Sequence, residues 1–257
     1  MTRIHPTAIV SPSATIGEGT EIGPYCIIGD DVSIGADCWL QHHVTIMGPS
    51  QVGVGNRFFS YACIGQRSQD LKYETEPTYL KIGDRNCFRE FSTVHRATAA
   101  GNTTTVGNDG TFLSYSHIAH DCTVGDHVIF SNNGTIAGHV EVGDYANIGG
   151  LTAVHQFCRV GVHAITGGCS KIVQDVPPFF IADGNPAEIR GVNSVGLERR
   201  GYTPEQLKTL KECYRLLYRS KLNVKQAVAE LEEQFGGTTE GRLLIDFVVS
   251  SQRGIIR

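Results

Sequence analysis

The feature that most constrains this chain is a large apolar residue at every sixth position through most of its first 172 residues. The series is unbroken from Ile4 to Ile64, and it resumes at Ile82 and again at Val106. Four positions in this phase carry other residues: Asp70, Glu76, Ala100 and Thr166. A period of six matches neither an amphipathic helix nor an alternating strand, and it predicts a parallel β-helix.

A second regularity surrounds each large residue. A glycine often follows it, as at Gly17, Gly35 and Gly107, and a small or β-branched residue stands two positions before it. We expect each hexad to form a short strand and a turn, with the glycine adopting the backbone angles of a tight corner. Three hexads then close a triangular coil of 18 residues, and successive coils stack about 4.8 Å apart.

The repeat fades after about Val173, and a proline-rich segment follows that no helix could traverse. Thr203-Pro-Glu-Gln206 has the pattern of a helix start. Helices are predicted from there to about Arg219, over Val224–Phe235 and over Gly241–Ser251. The fold class is therefore an all-β solenoid with an α tail: a β-helix over 1–190, with insertions at about 66–81 and 96–105, and a helical domain over 191–257.

Composition narrows the classes of function. The formal net charge is −4, and no apolar run approaches the roughly 20 residues of a membrane span. The first residues also lack a signal-peptide core, so we expect a cytoplasmic protein that neither spans a membrane nor binds nucleic acid. Basic residues nevertheless cluster in the tail, which predicts either a solvated face or a dock for an acidic partner. They are Lys208, Lys211, Arg215, Arg219, Lys221 and Lys225.

The eight cysteines form no C-x-x-C pair. Four of them, Cys26, Cys38, Cys122 and Cys158, fall on the small inward-facing position of a hexad. We interpret them as reduced core residues rather than disulfides or metal ligands.

The segment from His117 to Asp121 is the strongest candidate for chemistry, because it holds two histidines and a carboxylate. His120 lies two residues after the inward-facing Ile118, so its side chain should point out of the prism. One coil further on, Gly138 should lie beside His120, and its backbone N–H would carry no side chain in front of it. A general base beside an amide donor suits acyl transfer to a hydroxyl, since one removes the proton and the other holds the oxyanion.

The same arithmetic extends this site to further coils. Gln156 should lie two coils above His120, and His139 directly above Asp121. No serine or cysteine is paired with His120, so direct attack by the substrate is favoured over a covalent acyl-enzyme. Asp121 or a backbone carbonyl would orient the imidazole, although adjacent strand residues usually point to opposite faces. Ordinary surface histidines are the alternative interpretation.

The two interruptions of the repeat have different compositions. The first, 66–81, carries Asp70 and Lys72, which either grip hydroxyls and phosphate or belong to a solvated loop. The second, 96–105, is small and polar with no titratable cluster, and we predict a packing or interface loop. A flat prism wall cannot bury a substrate unaided, so we expect a neighbouring subunit to cover the site in a closed trimer.

Seven segments resemble the UDP-N-acetylglucosamine 3-O-acyltransferases, the hexapeptide-repeat enzymes that begin lipid A synthesis in Gram-negative bacteria. The resemblance runs essentially end to end, and the first two segments are the most specific. They are Gln69–Tyr73, His117–Gly125, Ala137–His139, Ala153–Cys158, Gly167–Ser170, Gln174–Pro178 and Asn193–Gly201. The resemblance implies a left-handed β-helix, a homotrimer, and transfer of a 3-hydroxyacyl chain from acyl carrier protein to the sugar 3-hydroxyl.

Roles for individual residues follow from the resemblance alone. It implies that His120 is the general base, that Asp121 supports it, and that the Gly138 amide stabilises the oxyanion. Sugar contacts fall to Asp70, His117 and His139. Nucleotide or diphosphate contacts fall to Gln69, Lys72, His95, Asn193, Arg199 and Arg200. His155 and Gln156 would line the path of the donor arm, the 4′-phosphopantetheine of acyl carrier protein; no permanently bound cofactor and no metal are implied.

Two positions bear on specificity. The family often has an acidic residue at the position of Val195. A contact that this acidic side chain would make with the uridine or ribose is therefore not expected here. Gly168 leaves space for a deep groove, so we predict a donor chain of about fourteen carbons rather than about ten.

Three alternatives remain open at this stage. One is a zinc enzyme of the carbonic anhydrase type, with His117, His120 and His139 as ligands. A non-enzymatic solenoid scaffold is another. The third, an N-acyltransferase of the same pathway, usually has an additional N-terminal domain, for which a repeat that starts at Ile4 leaves no room.

Overall fold

Short parallel strands stacked in three sheets form a triangular prism in the computed structural model, which describes all 257 residues. Sheet A contains Arg3–Ile4, Glu21–Ile22, Trp39–Leu40, Arg57–Phe58, Cys87–Phe88, Thr111–Phe112, Ile129–Phe130, Asn147–Ile148, Ile165–Thr166, Phe180–Gly184 and Ala187–Val192. Sheet B contains Ile9–Val10, Ile27–Ile28, Thr45–Ile46, Cys63–Gln66, Thr93–His95, His117–Ile118, Thr135–Ile136, Ala153–Val154 and Lys171–Ile172. Sheet C contains Thr15–Ile16, Val32–Ile34, Ser50–Val52, Tyr79–Ile82, Thr103–Val106, Thr123–Val124, Glu141–Val142 and Arg159–Val160.

The chain passes from sheet A to B to C in every coil, so the prism has three edges, which we name A–B, B–C and C–A after the sheets they join. Strand partners are usually 18 residues apart, as for His117 and Thr135. The two interruptions lengthen single coils, because Cys63 pairs with Thr93 and Thr93 pairs with His117. Both insertions leave the prism between sheets B and C, so they project from the same edge.

The interior of the prism is filled by the large residues of the hexads. Phe58, Phe88, Phe112 and Phe130 form one column on successive coils, with ring centroids 4.7 to 5.3 Å apart. Contacts at this spacing add to the burial of apolar area. The four inward-facing cysteines are buried free thiols, as expected.

The glycine that follows each large residue does not have the role expected from the sequence. Among the glycines at this position only Gly65 has a positive φ, of 75°. A side-chain carbon at Gly35 would instead lie 2.6 Å from the Gly53 carbonyl oxygen of the next coil. The left-handed backbone occurs two residues later, as at Asp109 and His127. The expectation of special corner angles at the glycine was therefore wrong, and its lack of a side chain serves close stacking of coils.

The C-terminal part begins with a hairpin that the sequence patterns did not predict. Phe180–Gly184 continues sheet A, and Ala187–Val192 pairs with it antiparallel. Four α-helices follow: α1 (Ser194–Arg199), α2 (Pro204–Tyr214), α3 (Val224–Phe235) and α4 (Thr239–Val249), with a π-helical turn over Arg215–Arg219 after α2.

Two helix starts are fixed by capping boxes, and the sequence indicated the first of them. Thr203 and Gln206 form a reciprocal capping box at the start of α2, and Asn223 and Gln226 form another at α3. Helix α1 is short and was not predicted, and α4 begins two residues earlier than expected. No helix of the chain is long and apolar enough to cross a lipid bilayer.

A buried carboxylate ties the C-terminal segment to the end of the prism. Asp175 is 1% exposed and accepts hydrogen bonds from the Arg159 backbone N–H at 2.8 Å and the Ser251 hydroxyl at 2.7 Å. The backbone of Asp175 also bonds with Gly254 and Ile256. The last residues are therefore part of the folded structure rather than a loose end.

Candidate active site

The B–C edge collects most of the residues singled out by the sequence. His120 and Asp121 lie on the turn after strand His117–Ile118, and Gly138 and His139 lie on the same turn of the next coil. The loops left by the two insertions, 67–78 and 96–102, leave the prism at this edge as well.

His120 and Asp121 form a direct pair. Nδ1 of His120 lies 2.8 Å from Oδ2 of Asp121. The doubt raised by strand alternation does not apply, because Asp121 has a left-handed backbone, with φ of 58°. That conformation turns its carboxylate toward the preceding side chain. An Nδ1–H donated to the carboxylate leaves Nε2 of His120 with a free lone pair, as a general base requires.

The second insertion holds the Asp121 carboxylate in place. The Thr98 N–H donates to Oδ2 at 3.0 Å, and the Asn102 side-chain amide donates to Oδ1 at 3.3 Å. Burial favours the protonated acid, but hydrogen bonds from His120, Thr98 and Asn102 outweigh it and keep the pKa of Asp121 below its ordinary value. The loop that was predicted to serve packing or an interface therefore also makes a specific contact, because it supports the Asp121 carboxylate.

Gly138 lies directly against the His120 ring. A side-chain carbon at this position would stand 2.6 Å from Nε2 and 3.0 Å from Nδ1 of His120, so only glycine leaves room for the imidazole. The Gly138 N–H donates to no acceptor of the protein, whereas its carbonyl accepts from the Phe157 N–H at 3.1 Å. An unpaired amide next to the His120 ring is therefore available to a ligand.

His139 completes this cluster from the coil above. Its Nε2 lies 3.8 Å from Oδ2 of Asp121, and its ring meets the His120 ring edge-on with centroids 5.3 Å apart. Phe157 of the following coil stacks on His139 at 4.6 Å. His155 and Gln156 are on the same edge but are exposed, with His155 Nδ1 near the Gln156 carbonyl.

Two further histidines lie beside the pair on sheet B. His117 Nδ1 is 2.7 Å from the Thr93 hydroxyl, and the His117 and His95 rings meet edge-on at 5.1 Å. Burial, followed by the charge of His120, lowers the pKa of His117. Burial, followed by the charges of His117 and His120, lowers the pKa of His95 to about 4. Both rings are therefore neutral at physiological pH, and the buried Nδ1 of His95 has no partner in the protein.

The first insertion encloses a cavity of about 530 Å³ next to these histidines. Gln69, Asp70 and His95, to which the resemblance assigns substrate contacts, are among the residues that line it. The Lys72 side chain is not part of the lining, and its backbone N–H donates to Oδ1 of Asp70 at 2.9 Å. Most residues that line the cavity are polar, which suits a polar ligand.

Asn193, Arg199 and Arg200 lie together on a different edge. They line a cavity of about 360 Å³ at the C–A edge, beside Tyr145 and His163. Arg200 lies 4.0 Å above the Tyr145 ring, and the Asn193 amide donates to the His163 carbonyl at 2.9 Å. Within one chain, these three residues are therefore not brought to His120.

Gly168 lies on the third edge, A–B. A side-chain carbon there would meet only the Gly150 carbonyl oxygen, at 3.5 Å, which is an ordinary contact. The position is exposed and could accept a side chain within one chain. Val195 is likewise exposed, at 59%, on helix α1.

Sequence reasoning missed Thr98, Asn102 and Thr104, whose hydroxyl accepts from the Asp121 N–H at 2.8 Å. The signal that could have found them is the position of the insertions. Both insertions replace the turn between sheets B and C, which is the turn that carries His120 in its own coil. The two loops therefore leave the prism beside His120.

Relatives of known name match the whole chain. A family model described as "Udp N-acetylglucosamine O-acyltransferase; Domain 2" matches residues 175–256. Two proteins named acyl-[acyl-carrier-protein]–UDP-N-acetylglucosamine O-acyltransferase, from Paraburkholderia phymatum and Burkholderia lata, are 48% and 50% identical to it. Each alignment covers 100% of both chains. The chain belongs to this O-acyltransferase family.

Solved structures of family members have the same fold. The UDP-N-acetylglucosamine acyltransferase of Francisella novicida aligns with a TM-score of 0.97 at 39% identity, covering 100% of this chain and 94% of the other. The O-acyltransferase of Moraxella catarrhalis aligns with a TM-score of 0.95 at 44% identity, covering 99% of both. The left-handed β-helix with a C-terminal helical region and the assignment as an O-acyltransferase are confirmed. The comparisons support neither the zinc enzyme nor the scaffold.

Proposed function

We propose that this O-acyltransferase transfers a 3-hydroxyacyl chain from acyl carrier protein to the 3-hydroxyl of UDP-N-acetylglucosamine, the first step of lipid A synthesis. The names of its full-length relatives support the two substrates. The observation that carries the chemistry is the His120 ring, oriented by Asp121 and set against the free amide of Gly138.

The reaction follows from this geometry as one addition and one elimination. Nε2 of His120 takes the proton of the sugar hydroxyl while its oxygen attacks the thioester carbonyl. The Gly138 N–H donates to the resulting oxyanion, and Asp121 stabilises the imidazolium through Nδ1–H. Collapse breaks the carbon–sulfur bond, and the proton on Nε2 passes to the leaving phosphopantetheine thiolate. The protein returns to its starting state without a covalent intermediate.

The substrate would extend from His120 along the B–C edge. Asp70, His117 and His139 would contact the glucosamine. Gln69 and His95, which line the adjoining cavity, and Lys72 of the same loop would contact the nucleotide or its diphosphate. His155 and Gln156 lie on the following coil, where the donor arm would approach. Asn193, Arg199 and Arg200 would bind the nucleotide or its diphosphate, which requires a second chain because they occupy another edge.

A homotrimer with the A–B edges next to its axis would bring the two sets together. In that arrangement sheet B of one protomer faces sheet A of the next, so the B–C edge of one meets the C–A edge of its neighbour. The cleft between them would hold His120 from one chain and Arg199 from the other. Gly168, at the inner end of sheet A, would then lie along the path of an acyl tail.

The surface of the A–B edge supports this orientation. Tyr25, His43, Tyr61, Phe91 and Tyr115 stack in order along it, with ring centroids 4.9 to 5.0 Å apart. The four Tyr and Phe residues of this stack are 42% to 58% exposed in the single chain. A continuous exposed apolar ridge marks a contact surface. Sheet C, by contrast, carries charged outward side chains such as Lys81 and Glu141 and suits solvent.

Activity is tested by incubating the protein with UDP-N-acetylglucosamine and a panel of 3-hydroxyacyl carrier proteins. His120→Ala should lower kcat by at least about 10³-fold, because the base is lost. His5→Ala removes an exposed histidine of the first coil, away from the B–C and C–A edges, and is the matched control, expected to transfer at the wild-type rate. A His120→Ala variant as active as the wild type would refute the assignment of the base.

Mixed trimers test the shared site. His120→Ala chains and Arg199→Ala chains, each inactive alone, should regain about a quarter of wild-type activity when co-expressed, since that fraction of clefts has both residues intact. A site contained in one chain would give no recovery. Wild-type protein that sediments as a monomer at assay concentration would refute the trimer itself.

The same transfer assay, with donors of different chain length, tests the role of Gly168. Gly168→Met should shift the preference from about fourteen carbons toward about ten, because the side chain would block the groove. An unchanged preference would exclude this position as the determinant.

Acyl carrier protein is acidic, so it should dock on the basic tail, where Lys208, Lys211, Lys221 and Lys225 have no salt-bridge partner. Raising the salt concentration should then weaken its binding.

A further inference from the structure

Three metal-ligating side chains meet at the B–C edge. Ring nitrogens of His120 and His139 and a carboxylate oxygen of Asp121 all lie within 4.8 Å of one another. Oδ2 of Asp121 is 2.8 Å from Nδ1 of His120 and 3.8 Å from Nε2 of His139. No other trio of His, Cys, Asp or Glu side chains in the chain meets in this way.

These separations suit a tetrahedral Zn²⁺ ion. Zinc binds imidazole nitrogen and carboxylate oxygen at about 2.0 to 2.2 Å, which places neighbouring ligand atoms about 3.3 Å apart. The two ring nitrogens lie 2.8 and 3.8 Å from the Asp121 oxygen, distances that bracket that value, and within 4.8 Å of each other, so rotations of the rings would bring all three ligands to one ion. The fourth position would be open to water, because the His139 side chain is 37% exposed.

The carboxylate is already oriented for this role. The Thr98 N–H and the Asn102 amide hold Asp121 from the side of the second insertion, as outer-shell donors hold ligating carboxylates in metal sites. Burial and these bonds leave its side chain only 5% exposed. The ligand that would otherwise need ordering is therefore fixed before an ion arrives.

We propose that His120, Asp121 and His139 bind one Zn²⁺ ion per chain and that the bound ion inhibits acyl transfer. Binding itself depends only on the trio, whereas inhibition rests on the proposed function of His120. A neutral imidazole has one N–H and one lone pair. When Nδ1 of His120 binds the ion, the proton must sit on Nε2, which then cannot accept the proton of a hydroxyl. The ion also occupies the carboxylate that would stabilise the imidazolium.

Zinc binding is tested on the metal-stripped full-length protein by calorimetric titration with Zn²⁺, and by the visible absorption of Co²⁺ as a probe of tetrahedral geometry. The wild type should bind one ion per chain. His139→Gln and Asp121→Asn should each weaken binding by about tenfold or more, because each removes a ligand. His127→Gln, a histidine stacked on Tyr145 at another edge, should bind like the wild type.

Inhibition is measured on the wild type in the acyl-transfer assay. Activity should fall with the same Zn²⁺ midpoint as the titration, and a chelator should restore it. Equal zinc affinity in His139→Gln and His127→Gln would overturn the site, and full activity of the zinc-loaded protein would overturn inhibition. A metal-free wild type that transfers no acyl group would instead refute the proposed function, while the binding titrations would still decide the metal site.

Discussion

Replacing Gly138 by alanine should remove most of the activity while leaving the fold intact. The added methyl carbon would stand 2.6 Å from Nε2 of His120, whereas an ordinary contact needs about 3.5 Å. The imidazole must therefore retreat by about 1 Å. The φ angle of Gly138 is outside the left-handed region, so alanine adds no backbone strain.

The size of the loss follows from the displacement. Misplacing a catalytic group by about 1 Å costs about 10²-fold in rate, or about 2.7 kcal/mol in the barrier. The Gly138 N–H is still present in the variant, so the loss would report the position of the base rather than a missing oxyanion donor. The assay is kcat/KM with the 3-hydroxyacyl carrier protein and UDP-N-acetylglucosamine, alongside Tm, which should change by no more than about 2 °C.

Gly150→Ala is the matched control. It occupies the same place in its hexad, but a methyl carbon there would meet the Asn132 carbonyl oxygen at 3.4 Å and Ser131 Cβ at 3.9 Å. Its activity should stay at the wild-type level. If Gly138→Ala kept kcat/KM within about threefold of the wild type, contact between the ring and this coil would not set the position of the base.

Three other variants test separate features. Asp121→Asn should lower kcat by about 10² to 10⁴-fold with little change in Tm, because an amide favours the wrong tautomer of His120; near-normal kcat would contradict the pairing. Asp175→Ala should lower the free energy of unfolding in urea by about 3 kcal/mol, since buried donors lose their acceptor, and Ser251→Ala by about 1 kcal/mol; equal losses would show that the Arg159 bond adds nothing. Burial depresses the pKa of His95 to about 4, so only the unfolded chain gains this proton between pH 6.5 and about 4, and stability should fall as pH drops through that range. His95→Asn should flatten that slope in urea titrations, and parallel slopes would exclude His95 as its source.

The repeat could be predicted from the sequence because it depends on one physical rule, the alternation of large and small inward-facing residues. That rule also places Gly138 beside His120 and His139 above Asp121, since residues 18 apart share a column. What it could not supply is the conformation of Asp121. The sequence pattern placed the special backbone angles at the glycine after each large residue. The left-handed residue is instead the third after the large residue, at Asp121 as at Asp109 and His127, and this conformation brings the Asp121 carboxylate to His120.

The insertions and the tail were less predictable because they lie outside the period. The support from Thr98 and Asn102 depends on how a loop folds back, and no repeat encodes it. The hairpin from Phe180 to Val192 was missed because it follows prolines and is held by pairing with sheet A. The family resemblance includes both Arg199 and His120, but it does not show that they lie on different edges of one chain. That separation follows only from the three-dimensional fold.

The contact between His120 and Gly138 joins adjacent coils, so the spacing within this proposed catalytic pair depends on the pitch of the solenoid. That pitch is held by the backbone hydrogen bonds between coils, such as His139 N–H to the His120 carbonyl at 3.1 Å. Warming cannot separate His120 from Gly138 without breaking the backbone hydrogen bonds between their two coils. Heat inactivation should therefore coincide with melting of the β-helix, with no range of temperature in which a folded but misaligned enzyme accumulates.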